Sequence, residues 1–382
     1  MIATEIVEGM NGLQAIEEEW RALVGDSFSA VFSRPEWHRA WLDAFPPKQI
    51  ALVTARLAGR LVGLLPLSLI RSDARGLYLS LVAPIARGDY QSPIVEAAAA
   101  HDALPAMLDA AVRRFGRHTV YWFPNIPSDA PALPILLSYM QRRGMVYSAT
   151  TEVAPRLHIN GRTYREIEAA WSAGHRKEVR NKRRRMAALG ELCLWRPRTL
   201  DEALPALEEF FAVHDEKWLS QGRPARFRNP QYRRHFMAMA QRLWNRGLHL
   251  TALRCGATNV FTSMSFVSDG WVLLYRPAMR LEYQKHSPGT VFISMLIEEA
   301  CRLSWQGIDF LLGAEDFKFR WSNDTLKVVG LHAAFSAWSL PYQWFARGKP
   351  YMLQRLEPEM ARAKACVQRA LTRAPSPAGS KL

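Results

Sequence analysis

The sequence predicts an α/β (α+β) protein of two similar halves, each a mixed, mostly antiparallel sheet flanked by helices. Three observations predict it. Helix-like and strand-like hydrophobic periodicities alternate along the chain. The same order of elements occurs twice, at a near-constant spacing. The composition, 49% hydrophobic and 22% charged over 382 residues, allows two or three domains with apolar cores.

Residues 1–45 read as helical, first with Trp20, Leu23 and Val24 on one stripe. Ser33-Arg34-Pro35-Glu36 opens a second helix, because proline suits a first-turn position. Its apolar face is Trp37, Ala40, Trp41, Ala44 and Phe45. Strands over 51–57 and 61–70 flank a turn at Ala58-Gly59-Arg60, a hairpin signal. Gly76 opens a strand over 77–82. Asp89-Tyr-Gln-Ser-Pro93 is a turn, 104–115 a helix, and 119–123 a short strand ended by Pro124.

That order then recurs. Phe32-Ser-Arg-Pro35 matches Phe227-Arg-Asn-Pro230, and the Gly59 hairpin matches strands 249–254 and 260–267 around Gly256. The strand at 77 matches 271–276, and Asp89–Pro93 matches Glu282-Tyr283-Gln284 with Ser287-Pro288. The helix 104–115 matches 291–303, and Val120-Tyr-Trp-Phe matches Ile308-Asp-Phe-Leu. The offset drifts only from about 195 to about 188 residues, as a duplication requires. The expected units are an N-terminal domain over 1–150 and a C-terminal one over 151–345. Their boundary lies between short strands at 146–149 and 157–159. A basic amphipathic helix over 346–372 and a Pro/Ser/Gly-rich, disordered tail over 373–382 complete the reading.

Composition also excludes. The apolar run 61–70 is too short to span a bilayer and contains Pro66. The N-terminus carries acids and no basic n-region, so no secretory signal is expected. Four scattered cysteines, without metal-ligand spacing, argue against zinc or a disulfide scaffold and fit a reducing cytoplasm. The net charge is +15, and residues 156–198 hold twelve Lys/Arg against four Asp/Glu. Such a field attracts anions: phosphorylated small molecules, an anionic membrane face or nucleic acid. Nucleic acid is the least favoured, since no recognition module or stacking motif lies near the basic run.

The stretch from Leu281 to Trp321 holds most of the chemistry. A Ser287-Pro288-Gly289 turn opens a helix, whose unpaired N–H groups and positive dipole end suit a phosphate. A strand over 308–312 follows, then the cluster Gly313-Ala-Glu315-Asp316-Phe-Lys318-Phe-Arg-Trp321, placed where open α/β sheets hold ligands. The equivalent first-half turn, Ser92-Pro93-Ile94, lacks glycine, which favours one functional site in the second half.

The element order, together with Gly174-His175-Arg176-Lys177-Glu-Val-Arg180, Phe211-x-x-His214-x-x-Lys217-Trp218, Ser287-Pro288-Gly289 and Asp309-Phe-Leu-Leu-Gly313-Ala-Glu315-Asp-Phe-Lys318-Phe-Arg-Trp321, resembles the GNAT acyltransferases. Two such halves resemble Fem-type transferases and, more closely, the CelD-like acetyltransferases associated with exopolysaccharide and cellulose biosynthesis. The last motif resembles that family's DF-x-x-G-x-E-x-YK-x-x-W signature, with Phe317 in place of tyrosine. The resemblance covers roughly 155–340 directly and the first half through the repeat. It implies two tandem GNAT-like domains and a thioester donor, normally acetyl-CoA. One departure is clear: His286-Ser-Pro-Gly289-Thr-Val291 carries valine where the usual pyrophosphate loop ends on a small residue.

Acyl transfer needs a base, an acid for the leaving thiolate and an N–H for the oxyanion, which an irregular strand at 273–276 can offer. Glu315 is the first candidate base, with Asp316 beside it; His214 is a second candidate, and Tyr275 a candidate acid. Ser287, Gly289, Thr290 and Val291 are the candidate donor-binding residues. Arg176, Arg180, Lys217, Trp218, Lys318 and Trp321 are candidate substrate or anion contacts. No metal is expected. The resulting expectation is a cytoplasmic acyl-CoA-dependent transferase acting on an amine or hydroxyl of a sugar, polysaccharide precursor or related metabolite. Contact with an anionic membrane face or a polysaccharide-synthesis complex is possible for it. The competing readings are a non-catalytic scaffold of polysaccharide synthesis and an aminoacyl-tRNA-dependent Fem-type transferase.

Overall fold

The computed structural model describes residues 1–25, 30–47, 49–74 and 77–335. The helix expected over 346–372, the tail 373–382 and Gly76 lie outside them. The first half runs β1 (Ile2–Glu8), α1 (Gly9–Ala15), α2 (Glu17–Val24), α3 (Pro35–Leu42), β2 (Ile50–Leu57), β3 (Arg60–Ala74) and β4 (Leu77–Pro84). It continues through β5 (Ile94–Val95), α4 (Ala100–Phe115), β6 (Val120–Pro127), α5 (Ala132–Arg142) and β7 (Val146–His158). The second half opens with α6 (Tyr164–Ala170), α7 (Ala173–Ala187), β8 (Leu192–Trp195), α8 (Leu200–Ser220) and α9 (Pro230–Leu243). Then come β9 (Leu248–Cys255), β10 (Thr258–Ser268), β11 (Trp271–Met279), α10 (Pro288–Arg302), β12 (Gly307–Asp309), α11 (Asp316–Phe319) and β13 (Asp324–Ala334).

All these strands join one sheet, in the order β1-β2-β3-β4-β6-β13-β7-β12-β11-β10-β9-β8, with β5 paired to β3. From either edge inward the two halves read alike. β1, β2, β3, β4 and β6 take the places of β8, β9, β10, β11 and β12. In both halves the pairing is antiparallel except at the inner join, where β4–β6 and β11–β12 are parallel. The last strands are exchanged. β13 lies on β6 of the first half, and β7 lies on β12 of the second. Their mutual antiparallel ladder, from Asp324↔Arg156 to Ala334↔Val146, closes the middle of the sheet.

Four sequence expectations change. Residues 2–8 form a strand, not helix; their exposure alternates as they pair with β2 along an edge. The strand at 119–123 does not stop at Pro124. It runs to Pro127 because Asn125 takes a left-handed φ of 55° and the β6–β13 register shifts there. The two strands expected at 146–149 and 157–159 are one thirteen-residue strand, so the peptide runs through the sheet where the domain boundary was expected. The strand expected over 308–312 ends at Asp309.

The halves also share a core. α3 and α9 both start on proline, and Asn229 caps α9 through the Gln231 N–H. The two helices pack together: His235 Nδ1 lies 3.0 Å from the Ala40 carbonyl, and Arg242 pairs with Asp43 at 2.8 Å. Phe32, Trp37 and Tyr90 of one half bury against Phe236, Phe266 and Leu273 of the other. Separate cores lie under α4–α5 and under α7–α10. No helix among the described residues is long and apolar enough to cross a membrane.

Candidate active site

β11 and β12 pair over only three residues, Trp271↔Gly307 to Leu273↔Asp309. Beyond that they part, and a cleft of about 510 Å³ opens between them. The cause is local. On β11 the register against β10 slips between Leu273 and Arg276, so Leu274 and Tyr275 bulge opposite one partner residue. A bulge leaves one residue's backbone out of the ladder. On the other side, Leu311 adopts φ 57°, a conformation costing a non-glycine residue roughly 1–2 kcal/mol.

A clamp holds that turn. The Asp309 carboxylate, fully buried, accepts the Leu311 N–H at 2.7 Å, Arg156 Nε at 2.8 Å and the Tyr90 hydroxyl at 2.8 Å. Burial pushes this carboxyl up, while Arg156, the Leu311 N–H and Tyr90 each hold it down. Lys318 Nζ donates to the Leu312 carbonyl at 2.7 Å and the Leu311 carbonyl at 3.3 Å, and pairs with Glu315 at 2.9 Å. Lys318 is buried, so its charge fixes the turn. It also lines the cleft, with its donors spent on the turn and on Glu315.

The cleft has contributors from both halves. β11 supplies Tyr275 and Arg276, β10 Phe261 and Ser263, α8 Lys217, and the N-terminal part of α10 Ser287, Gly289 and Thr290. The segment after β12 supplies Phe310 to Leu312, Glu315, Phe317, Lys318, Arg320 and Trp321. Asp89 enters from the first half. Its carboxylate accepts the Leu312 N–H and lies within electrostatic reach of Arg276 and Lys318; burial raises its pKa, and those groups oppose the rise. Burial also raises the Tyr275 phenol and lowers the Lys217 ammonium. Tyr275 packs edge-on against Trp37 with ring centroids 5.6 Å apart, so its ring is anchored in the shared core.

Several candidate residues lie elsewhere. His214 is buried among Phe210 and Phe227 with both ring nitrogens engaged. Nε2 accepts from Trp218 Nε1 at 2.9 Å, and Nδ1 lies 3.4 Å from Asp215. Burial lowers its pKa, and neither His214 nor Trp218 lines the cleft. Asp316, exposed in the first turn of α11, does not line it either. Arg176 donates to the Ala169 carbonyl at 3.0 Å and to the Trp171 carbonyl, closing the end of α6. Arg180 makes a two-pronged bond to Glu168 at 2.7 and 2.9 Å. Both tie the α6–α7 join, and neither lines the cleft. Glu315 stands at the rim, its side chain 58% exposed. Trp321 is buried with its ring at right angles to Trp171, forming the cleft wall.

The helix start is tighter than the sequence implies. Ser287 caps α10 in a left-handed conformation, φ 54° and ψ 56°. Its carbonyl takes the Thr290 N–H at 3.0 Å and the Val291 N–H at 3.4 Å. Pro288 has no N–H, so the Gly289 N–H is the uncommitted donor of this turn. Val291 is fully buried in the core. The sequence-matched first-half segment differs outright: residues 94–95 there form β5, bonded to β3, ahead of α4. No three His, Cys, Asp or Glu side chains among the described residues converge as a metal site.

Asp89 and Arg276 were not singled out from sequence. Asp89 was visible only as part of a turn, and nothing local signals that the turn reaches into the other half's cleft.

Residues 173–319, from α7 to α11, match the model of the acetyltransferase (GNAT) domain. No curated protein gives a significant sequence match. Among solved structures the chain is similar to FemX, at 11% identity and TM-score 0.58, over 89% of this chain and 99% of that one. It is also similar to the C-terminal domain of a putative lysylphosphatidylglycerol synthetase from Agrobacterium fabrum, at 12% identity and TM-score 0.54, over 87% and 95%. L-PGS from Bacillus licheniformis matches at 12% identity and TM-score 0.54, over 88% and 95%. At such identities the likeness is one of fold: the chain has a GNAT-like fold, and its residues 173–319 match a GNAT acetyltransferase domain.

Proposed function

We propose that this chain, built on a GNAT acetyltransferase domain, moves an acyl group from acyl-CoA, acetyl-CoA first, to an amine or hydroxyl of a saccharide or related metabolite. The observation that carries the reading is the cleft where β11 and β12 part, with the start of α10 at one end and the β11 bulge at the other. The donor's phosphates take the Gly289 end, where the N–H and helix dipole face them. Its thioester then lies along β11, and a backbone N–H of the bulge stabilises the oxyanion.

Transfer is direct, in a ternary complex. The acceptor nucleophile attacks the thioester carbonyl and gives its proton to a carboxylate. Of the two carboxylates lining the cleft, Asp89 is better placed than Glu315: it is enclosed, and burial moves its pKa toward that of a base working near neutrality. Tyr275, kept protonated by burial, donates to the departing thiolate. The four cysteines include no cleft-lining residue among those described, so no covalent acyl-enzyme is invoked.

A second reading is an aminoacyl-tRNA donor in place of acyl-CoA. One observation favours it: the αL cap at Ser287 consumes the Thr290 and Val291 N–H groups that a pyrophosphate would use. Thermal shift separates the two. At a hundredfold excess over Kd the true donor stabilises the chain by about 2.7 kcal/mol. A shift with acetyl-CoA and CoA supports the first reading, a shift with aminoacyl-tRNA alone the second. No shift with any donor sinks both and leaves a scaffold. A cytoplasmic site of action and a role in polysaccharide synthesis are part of the same proposal.

A further inference from the structure

One end of the cleft carries two cations that the fold leaves with donors to spare. Lys217 reaches it from the last turns of α8, and its ammonium has no carboxylate or hydrogen-bond partner among the described residues. Arg276 reaches it from β11; its guanidinium lies 4.7 Å from the Tyr275 ring centroid and within electrostatic reach of Asp89, while its Nε is buried without a hydrogen-bond partner. The other cations of the cleft are committed, Lys318 to Glu315 and Arg320 to Glu178. Asp89, the carboxylate at this end, is shared between Arg276 and the Leu312 N–H and offsets one of the two charges. An excess of positive charge therefore faces the cavity. A half-buried ammonium without a partner loses hydration with nothing in return, and a buried donor without a partner that borders a cleft is open to a ligand atom.

This end is separate from the start of α10. Gly289 packs against Phe261, which pairs with Met279 across the β10–β11 ladder, whereas Arg276 pairs with Met264. Three residues of strand separate the two levels, about 10 Å. A donor anchored at Gly289 thus brings its thioester toward the bulge, and Lys217 and Arg276 face whatever attacks it.

We propose that Lys217 and Arg276 form an acceptor subsite that recognises an anionic group, a phosphate or a carboxylate, on the molecule that receives the acyl group. The inference rests on the acyltransferase reading of the cleft. It sets the acceptor's charge beside Lys217 and its nucleophile beside Asp89.

The test uses the full chain saturated with CoA, so that phosphates already occupy the donor end. Glucose 1-phosphate, glucuronate and glucose are titrated by thermal shift. The expected result is stabilisation by one or both anions and none by glucose. Lys217→Ala should lower the anion affinity by about tenfold or more while keeping the CoA shift, as loss of a charge-assisted bond requires. Lys217→Arg should restore it, which excludes a folding defect. Glucose binding as well as the anions overturns the inference, as does no shift with either anion or equal anion binding by Lys217→Ala. Loss of the CoA shift in Lys217→Ala also overturns it, assigning Lys217 to the donor. Should CoA itself fail to bind, the same titrations without CoA decide the subsite independently, so the two failures are distinct.

Discussion

Replacing Tyr90 with phenylalanine removes one hydroxyl from the join between the halves and leaves the ring. Tyr90 is 1% exposed, and its hydroxyl bonds both carboxylate oxygens of Asp309, at 2.8 and 3.0 Å. Asp309 keeps its bonds from Arg156 and the Leu311 N–H. It cannot recruit water in exchange, because its side chain is fully buried. A hydrogen bond to a charged group contributes about 1.5–3 kcal/mol, and this range is the expected loss. For a chain of this size, with a urea dependence of about 3 kcal/mol per molar, the midpoint should fall by roughly 0.5–1 M. The second effect is local. Asp309 holds Leu311 in its left-handed turn, so a looser carboxylate loosens one wall of the cleft, and donor affinity should fall as well. Equilibrium urea unfolding followed by tryptophan fluorescence gives the first number, and donor titration the second. An unchanged midpoint together with unchanged donor affinity would refute the view that this bond couples the halves.

Other consequences follow from particular groups. Asp89→Asn should lower acyl transfer by about 100-fold or more while leaving donor affinity within about twofold, since a general base contributes about that much to rate. Because burial raises the Asp89 pKa, and only the ionised form accepts a proton, the wild-type rate should fall with acid at a pH above the ordinary aspartate range. A pH–rate profile whose acid limb is the same in Asp89→Asn would assign the base elsewhere. His38 is 2% exposed, and burial lowers its pKa to about 3. A depressed folded pKa adds stability above the unfolded value near 6.5, lost as pH falls toward 3, on the order of 5 kcal/mol. His38→Phe should flatten the stability curve between pH 6 and 4, and an equally steep curve in the variant would contradict the assignment.

The fold class and much of the repeated element order were legible because a repeat exposes the same pattern twice. What was not legible depends on long-range geometry. The exchange of β7 and β13 is set by a ladder between residues some 180 apart, and no local pattern encodes it. The run His175 to Arg185 announced charge, but not that Arg180 meets Glu168 across a helix junction. That Lys318 bonds the Leu311 and Leu312 carbonyls was hidden, because sequence does not show that Leu311 turns left-handed and offers its carbonyl inward. Pro124 misled for a similar reason: a bulge at Asn125 carries the strand past it. Asp89 belongs to the site only because the first half folds against the second. Glu315, chosen from its motif, sits where expected but on the rim, and the enclosed carboxylate comes from the other copy.

Calorimetric titration of acetyl-CoA into the full chain tests the placement of the donor most directly. One site per chain is predicted, because the start of α10 has no counterpart ahead of α4. That site should be abolished by Gly289→Glu, since even a Cβ there would come within 3.2 Å of Phe261 and the added carboxylate would meet the donor's phosphates. Two sites per chain, or one that survives Gly289→Glu with unchanged affinity, would contradict a donor bound between β11 and β12.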